Sequence, residues 1–254
     1  MCEFWNVFGA IVGAIGTLVV LYGLGTSIKR MLLSPKFVVG IIPSEYEKQN
    51  RGEELLNAFM LREPLAECSF RKCFLAQRVK KGKDIAKLKD TCSQAGHLVP
   101  YCREISLSSQ HALDIEFVVR NAGRRYGNYR LAVTFDDEQI RLLDVKTESP
   151  LTVEALFTLP DRIEDQKLKE LIPDESIRKA YQRLKLYGAY ISFVWGSLEK
   201  KGYDIVHLRL EVPEDCQSFV TIFRIDHREI SFKETLYYAQ PVKIIRIKEK
   251  SYSA

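Results

Sequence analysis

Five side chains able to hold a metal or form a cross-link fall close together: Cys68, Cys73, Cys92 and Cys102, with His97 between the last two. Thiolate and imidazole are the ligands zinc prefers, and four of them would staple a segment with little hydrophobic patterning. Four residues separate the first pair and nine the second, a spacing that matches no standard zinc knuckle. Free, partly buried thiols are the expectation, with a structural metal or a disulfide as alternatives. No metal site and no cofactor is assigned. Cys102 with His97 or His111 is the one nucleophile–base pairing to consider, and no motif supports it. The chain has no G-x-S-x-G elbow, no phosphate loop, no dinucleotide fingerprint and no H-E-x-x-H. His207 falls on the outward register of an alternating strand, a solvated position. Asp136, Asp137 and Glu138 could offer oxygen ligands to a divalent cation, but they sit between two strands, where acidic turn residues are routine. The reading is non-enzymatic.

Basic residues form two candidate surfaces. Eight lie between Arg71 and Lys89, opposed in that span by Asp84 alone. Lys80, Lys81 and Lys83 are at its centre, and beside an anionic leaflet each such charge adds about 1 kcal/mol of attraction. The second surface is Arg124 and Arg125 in a glycine-framed turn, with Arg130 close by. Arginines splayed from a tight turn can fork onto phosphate oxygens, which suits an anionic lipid, a nucleotide or a phosphorylated partner. A solubilising surface is the plainer account of both. The net charge of +5 and the lack of interleaved aromatic and basic residues argue against nucleic acid.

These residues need something to position them, and the first candidate is a membrane. Phe4 to Ile28 carries no charge and is mostly apolar. As a helix it spans about 37 Å, enough to cross a hydrocarbon core of about 30 Å with some tilt. A cleaved signal peptide needs a basic start, a shorter core and a small-residue cleavage site, none of which matches. An uncleaved anchor is therefore expected over 1–35. Lys29, Arg30 and Lys36 follow the apolar run and no basic residue precedes it. This leaves the N-terminus outside and the remaining chain, 36–254, on the cytoplasmic side of the cell's inner membrane. Six cysteines without tidy spacing fit a reducing compartment. Gly9, Gly13, Gly16 and Gly23 share one stripe of the apolar helix, with Asn6 at its edge. Small residues in register let membrane helices approach closely, so a homo-oligomer or a partner membrane protein is expected.

Beyond residue 36 the dominant pattern is short strands. Runs at 36–42, 113–119, 129–135, 139–146, 152–159, 189–195, 204–212, 218–225 and 241–248 mostly alternate apolar with polar residues, the mark of antiparallel sheet with one face in water. Two stretches interrupt them. The first, about 44–103, is expected to be partly helical, with a short amphipathic helix over 53–61. In the second, about 161–188, Asp174 caps a helix that presents Ile177, Tyr181, Leu184 and Tyr187 on one face and stops at Gly188. The fold class is mainly β, an antiparallel immunoglobulin-like β-sandwich with partly helical insertions behind one transmembrane helix. The composition, 46% hydrophobic and 11% aromatic, can fill such a core and excludes a disordered chain.

One segment carries a likeness. From Phe117 to Phe135 the order Phe117, Val119, Asn121, Gly123, then Leu131, Val133 and Phe135, resembles the strand–turn–strand signature of bacterial immunoglobulin-like modules. The resemblance covers about twenty residues. It implies a sandwich used for binding or assembly rather than catalysis. The expected protein is a single-pass scaffold or sensor. A membrane-disrupting effector triggered by an anionic or nucleotide ligand, and a passive subunit of an envelope complex, are the alternatives.

Overall fold

The computed structural model describes residues 36–42, 44, 75–94, 102–107, 112–123, 125–148, 151–159, 164–184, 187–229 and 232–246. The apolar run with its Asn6, Gly9, Gly13, Gly16 and Gly23, the helix expected over 53–61, and Cys68, Cys73, His97, His111 and Arg124 lie outside them. Among the described residues no helix is long and apolar enough to cross a membrane.

Among the described residues twelve strands and three helices follow in order: β1 Phe37–Ile41, β2 Gln77–Arg78, α1 Gly82–Gln94, β3 Arg103–Leu107, β4 Ala112–Asn121, β5 Gly127–Phe135, β6 Arg141–Thr147, β7 Val153–Leu159, α2 Asp165–Leu171, α3 Glu175–Leu184, β8 Tyr187–Phe193, β9 Gly196–Leu198, β10 Tyr203–Glu211, β11 Ser218–Glu229 and β12 Phe232–Arg246. A four-stranded antiparallel sheet has the order β1-β4-β10-β6. The larger sheet runs β2-β12-β11-β5-β8-β7, with β9 also on β5 and β3 parallel to β12. The sheets face one another. Leu113, Ile115, Phe117 and Val119 of β4 and Val206, Leu208 and Leu210 of β10 pack against Leu131, Val133 and Phe135 of β5 and Phe219, Phe223 and Ile225 of β11. The alternation read from the sequence is thus the inner face of a sandwich.

The outer face of the larger sheet is covered too. Val220 and Ile222 of β11, Ala132 of β5 and Tyr237 and Ala239 of β12 meet Ile85 of α1, Leu168 of α2 and Ile177, Ala180, Tyr181 and Leu184 of α3. Each large aliphatic side chain so buried contributes about 1.5–3 kcal/mol. Asp174 caps α3 as expected, its Oδ1 accepting from the backbone N–H groups of Ser176 (2.9 Å) and Ile177 (3.2 Å).

The helix does not run to Gly188; it ends at Leu184, and Gly188 belongs to β8. Its φ of +78° sits where the β5–β8 register slips between Thr134 and Phe135, and a Cβ there would lie 2.2 Å from the Asp137 carbonyl oxygen. Gly188 therefore serves a strand irregularity and not a helix stop. The last strand begins at 232, well before 241. Its middle is buried on both faces, by Tyr237 and Ala239 under the helices and by Gln240 and Val242 toward the sandwich, so alternation fades there. Pro241 is tolerated within it. Ile244 donates toward Gln217 on the β11 side, so residue 241 turns its nitrogen to the opposite edge, in the gap between the β2 and β3 pairings.

One flank of the sandwich is closed. Tyr238 Oη donates to the Phe37 carbonyl at 2.9 Å, Ile41 N–H donates to Gln240 Oε1 at 2.8 Å, and Ala76 N–H donates to the Val39 carbonyl at 2.9 Å. Three backbone groups of the edge strand β1 are thereby satisfied, two by β12 of the opposite sheet and one by the segment leading into β2.

Candidate functional site

The strand registers place the start of β1, the β4–β5 turn, the β8–β9 and β9–β10 turns and the start of β10 at one end of the sandwich. Asn121 ties them together. It is fully buried, its Oδ1 accepts from Gly123 N–H at 3.0 Å and Lys36 N–H at 3.3 Å, and its Nδ2 donates to the carbonyls of Arg125 (2.7 Å) and Leu198 (3.2 Å). Its backbone accepts from Lys201 N–H at 3.0 Å and donates to Gly202 O at 3.0 Å. One amide thus fixes three loops, which is the physical reason for Asn-x-Gly at this point in the sequence.

What the loops present is aromatic and basic. Tyr126 is 57% exposed, Trp195 43% and Tyr203 50%, and the exposed cations at this end are Lys36, Arg125, Lys200, Lys201 and Arg228, against Glu148 and Glu199. Lys201 adopts a positive φ of 64°, an uncommon conformation for a side chain with a Cβ, and the Glu199–Gly202 turn holds it there. Gly196 follows Trp195 because a Cβ would press on Leu151 at 2.9 Å and Tyr129 at 3.3 Å. Neither the Trp195 strand break nor the Lys200–Lys201 turn was singled out from the sequence. An isolated tryptophan before a glycine, followed by a charged turn, was the available signal.

The opposite end is acidic. Glu138, Glu211 and Glu214, with Gln139, Arg141 and Thr158, line an open groove of about 620 Å³. Asp136 is folded into the structure beside it: its carboxylate accepts from Val220 N–H at 2.6 Å and pairs with Lys89 of α1 at 3.0 Å. Burial pushes its pKa up, and Lys89 pulls it back. Asp136, Asp137 and Glu138 do occupy the turn between two strands. Cys216, buried nearby, has its thiol pushed up to about 11 by burial and by Asp137.

The basic residues of the sequence reading separate into different surroundings. Arg125 is exposed at the aromatic end. Arg130 forms an ion pair with Glu154, which also accepts from Ser192 Oγ at 3.2 Å. Next to it a buried pair, Arg224 and Asp226 at 3.1 Å, lies under Tyr181, Tyr190 and Tyr237. Burial raises the phenol pKa of Tyr181 and of Tyr237. Lys80, Lys81 and Lys83 stand away from these arginines, on the flank at the start of α1, where Asp84 Oδ2 accepts from the backbone of Lys80 (3.1 Å) and Lys81 (3.0 Å). Those two bonds hold the Asp84 pKa down. His207 is partly exposed between Glu148 (3.2 Å) and Glu116 (3.7 Å).

Free thiols were the expectation for the cysteine group, and for two members it is corrected. Cys92 and Cys102 form a disulfide with Cα atoms 5.6 Å apart, joining α1 to the start of β3. Both are buried, so packing brings together two residues that spacing could not pair. Cys102 is accordingly no nucleophile. Among the described residues no group of His, Cys, Asp and Glu is arranged to hold a metal ion.

No protein-family model matches the sequence. No curated protein matches it either. Weak structural likeness extends over about half of the chain to bacterial adhesin domains. A Streptococcus suis adhesin solved with a disaccharide receptor is 10% identical, covering 55% of this chain and 87% of that one at a TM-score of 0.33. The collagen-binding domain of a Staphylococcus aureus adhesin is 8% identical, covering 55% and 93% at 0.28. The collagen-binding subdomain of the Enterococcus faecalis surface protein ACE is 8% identical, covering 59% and 99% at 0.26. The sandwich itself is read from the two sheets and their shared core, independently of these likenesses.

Proposed function

We propose that this chain is a single-pass, membrane-anchored binding protein without catalytic activity, a scaffold or sensor whose sandwich recognises an anionic partner through its aromatic, basic end. The supporting observation is the Asn121 clamp. It holds three loops in one arrangement and leaves Tyr126, Trp195, Arg125, Lys200 and Lys201 in solvent. Preformed loops with exposed aromatic anchors suit recognition, because little ordering entropy remains to be lost on binding. Lipid of an anionic leaflet is the expected partner class, and the glycine stripe of the anchor supplies self-association or docking on another membrane protein. A nucleotide-triggered, membrane-disrupting effector has less support, since Arg130, which would complete a phosphate fork with Arg125, is neutralised by Glu154.

The test is membrane extraction combined with topology. Single cysteines introduced at the C-terminus and beside Lys80 are labelled in intact and in permeabilised cells. Resistance to alkaline extraction, with labelling only after permeabilisation, is the result expected for an N-terminus outside and a cytoplasmic domain. Release by alkali overturns the anchor. A second reading, a subunit of an envelope assembly facing outward, is favoured by the Cys92–Cys102 disulfide, since such bonds persist in oxidising compartments. Labelling in intact cells would select it. Association through the stripe is tested separately with Gly13→Leu and Gly16→Leu, which should abolish cross-linking between copies.

A further inference from the structure

We infer that the end of the sandwich carrying Tyr126, Trp195 and Tyr203 rests on the bilayer in which the chain is anchored, with anionic lipid headgroups as its ligand. This rests on the proposed anchor at 4–28 and adds what the domain does there. The first argument is where the chain enters. Lys36 lies at this end, held by Asn121 Oδ1 on its N–H and by Ala122 N–H on its carbonyl. Only residues 29–35 separate it from the apolar run. At about 3.5 Å per residue such a tether reaches under about 30 Å even when fully extended, so this end is held near the bilayer. The ten residues of β4 carry the opposite end about as far again from it.

The second argument is charge. Lys36, Arg125, Lys200, Lys201 and Arg228 dominate the near end, whereas Glu138, Glu211 and Glu214 line the groove at the far end. An anionic leaflet attracts the first and repels the second, and the two effects orient the domain in the same direction. The third is residue type. Tyrosine and tryptophan have an apolar body and a polar tip, the combination that settles at the headgroup level. Tyr126, Trp195 and Tyr203 are three of the most exposed large hydrophobic residues among those described, and all three lie toward this end. Of the exposed aliphatics, Val194 adjoins Trp195, while Leu143 and Leu156 lie on the edge strands β6 and β7.

The chain has two tryptophans, so the full-length Trp5→Phe protein reports on Trp195 alone. It is reconstituted into vesicles containing anionic lipid and a headgroup spin-labelled quencher, and insertion is verified by flotation. The expected result is loss of Trp195 emission, relieved by the triple reversal Arg125→Glu, Lys200→Glu, Lys201→Glu and by high salt. Flotation without quenching overturns the inference and leaves the anchor standing. Failure to float overturns both. Equal quenching in vesicles of neutral lipid overturns the anionic recognition. The three reversed positions are exposed, and an unchanged melting temperature shows that the variant is folded.

Discussion

Tyr129 of β5 donates its phenolic hydroxyl across the sandwich to Asp204 of β10, so one hydrogen bond between two buried side chains joins the facing sheets just beneath the basic, aromatic end. Phe37 packs against the same ring in a tilted arrangement at a centroid distance of 5.1 Å, and Gly196 passes its edge. Burial, reinforced by Asp204, raises the Tyr129 pKa well above its ordinary value. The hydroxyl therefore stays protonated, as a donor must.

Tyr129→Phe leaves the Asp204 carboxylate buried without this donor, which should cost about 2–3 kcal/mol. For a chain of this size that lowers Tm by roughly 5–10 °C. Asp204→Asn retains an acceptor for the phenol and should cost distinctly less. A negligible loss from Tyr129→Phe in thermal melts would show that ring packing, which phenylalanine keeps, and not the hydrogen bond, matters at this position.

Asn121→Asp preserves the oxygen that receives Lys36 and Gly123 but removes both N–H groups given to Arg125 and Leu198. It sets a carboxylate oxygen against two carbonyls in a buried place, with an expected cost of about 3 kcal/mol or more. The loops should loosen together. Hydrogen exchange is the measurement, and faster exchange confined to 122–126 would contradict the role of Asn121 as a shared clamp.

The Asp136–Lys89 pair gives a signed pH dependence. The folded pKa of Asp136 is raised, so the folded state holds this proton to higher pH than the unfolded chain does. Stability contributed by this group is therefore greatest below its unfolded pKa near 3.9 and declines as pH rises through the folded value. Lys89→Met should raise that value further. The expected loss is about 1 kcal/mol at neutral pH, small because Lys89 is about a third exposed, and it disappears at a pH well below the ordinary carboxylate range, where Asp136 carries its proton with or without Lys89. Denaturant melts at the two pH values check it, and a pH-independent loss would refute it.

Cys92 and Cys102 should resist alkylation until the protein is reduced, and peptide mass mapping without reductant should recover them joined. The residues are 10 apart in sequence, so losing the link by Cys92→Ala should cost about 2–3 kcal/mol on loop entropy alone. Cys216 should stay slow to react in either state near neutral pH, because its thiol is buried and its pKa lies at about 11.

By itself the sequence determined which residues alternate, and that sufficed for most strands. Leu113–Val119, Leu131–Phe135 and Val206–Leu210 announce one buried face because the pleat alternates side chains over every second residue. Asp174 and the apolar stripe after it likewise announced α3. Local spacing carries that information without any partner. Three matters needed the tertiary structure. The middle of β12, from Tyr237 to Val242, is buried on both faces, so its period is erased by the helices above and the sandwich below. Gly188 reads as a helix stop until Asp137 is seen against it. Cys92 and Cys102 become a pair only when α1 is laid beside β3. The aromatic, basic end is of the same kind: Lys36, Arg125, Trp195 and Lys201 are far apart in sequence. Only the pairing of β1 with β4 and of β5 with β9, fastened by Asn121, brings their backbones to one place, because register across strands is set by long-range packing and not by any local pattern.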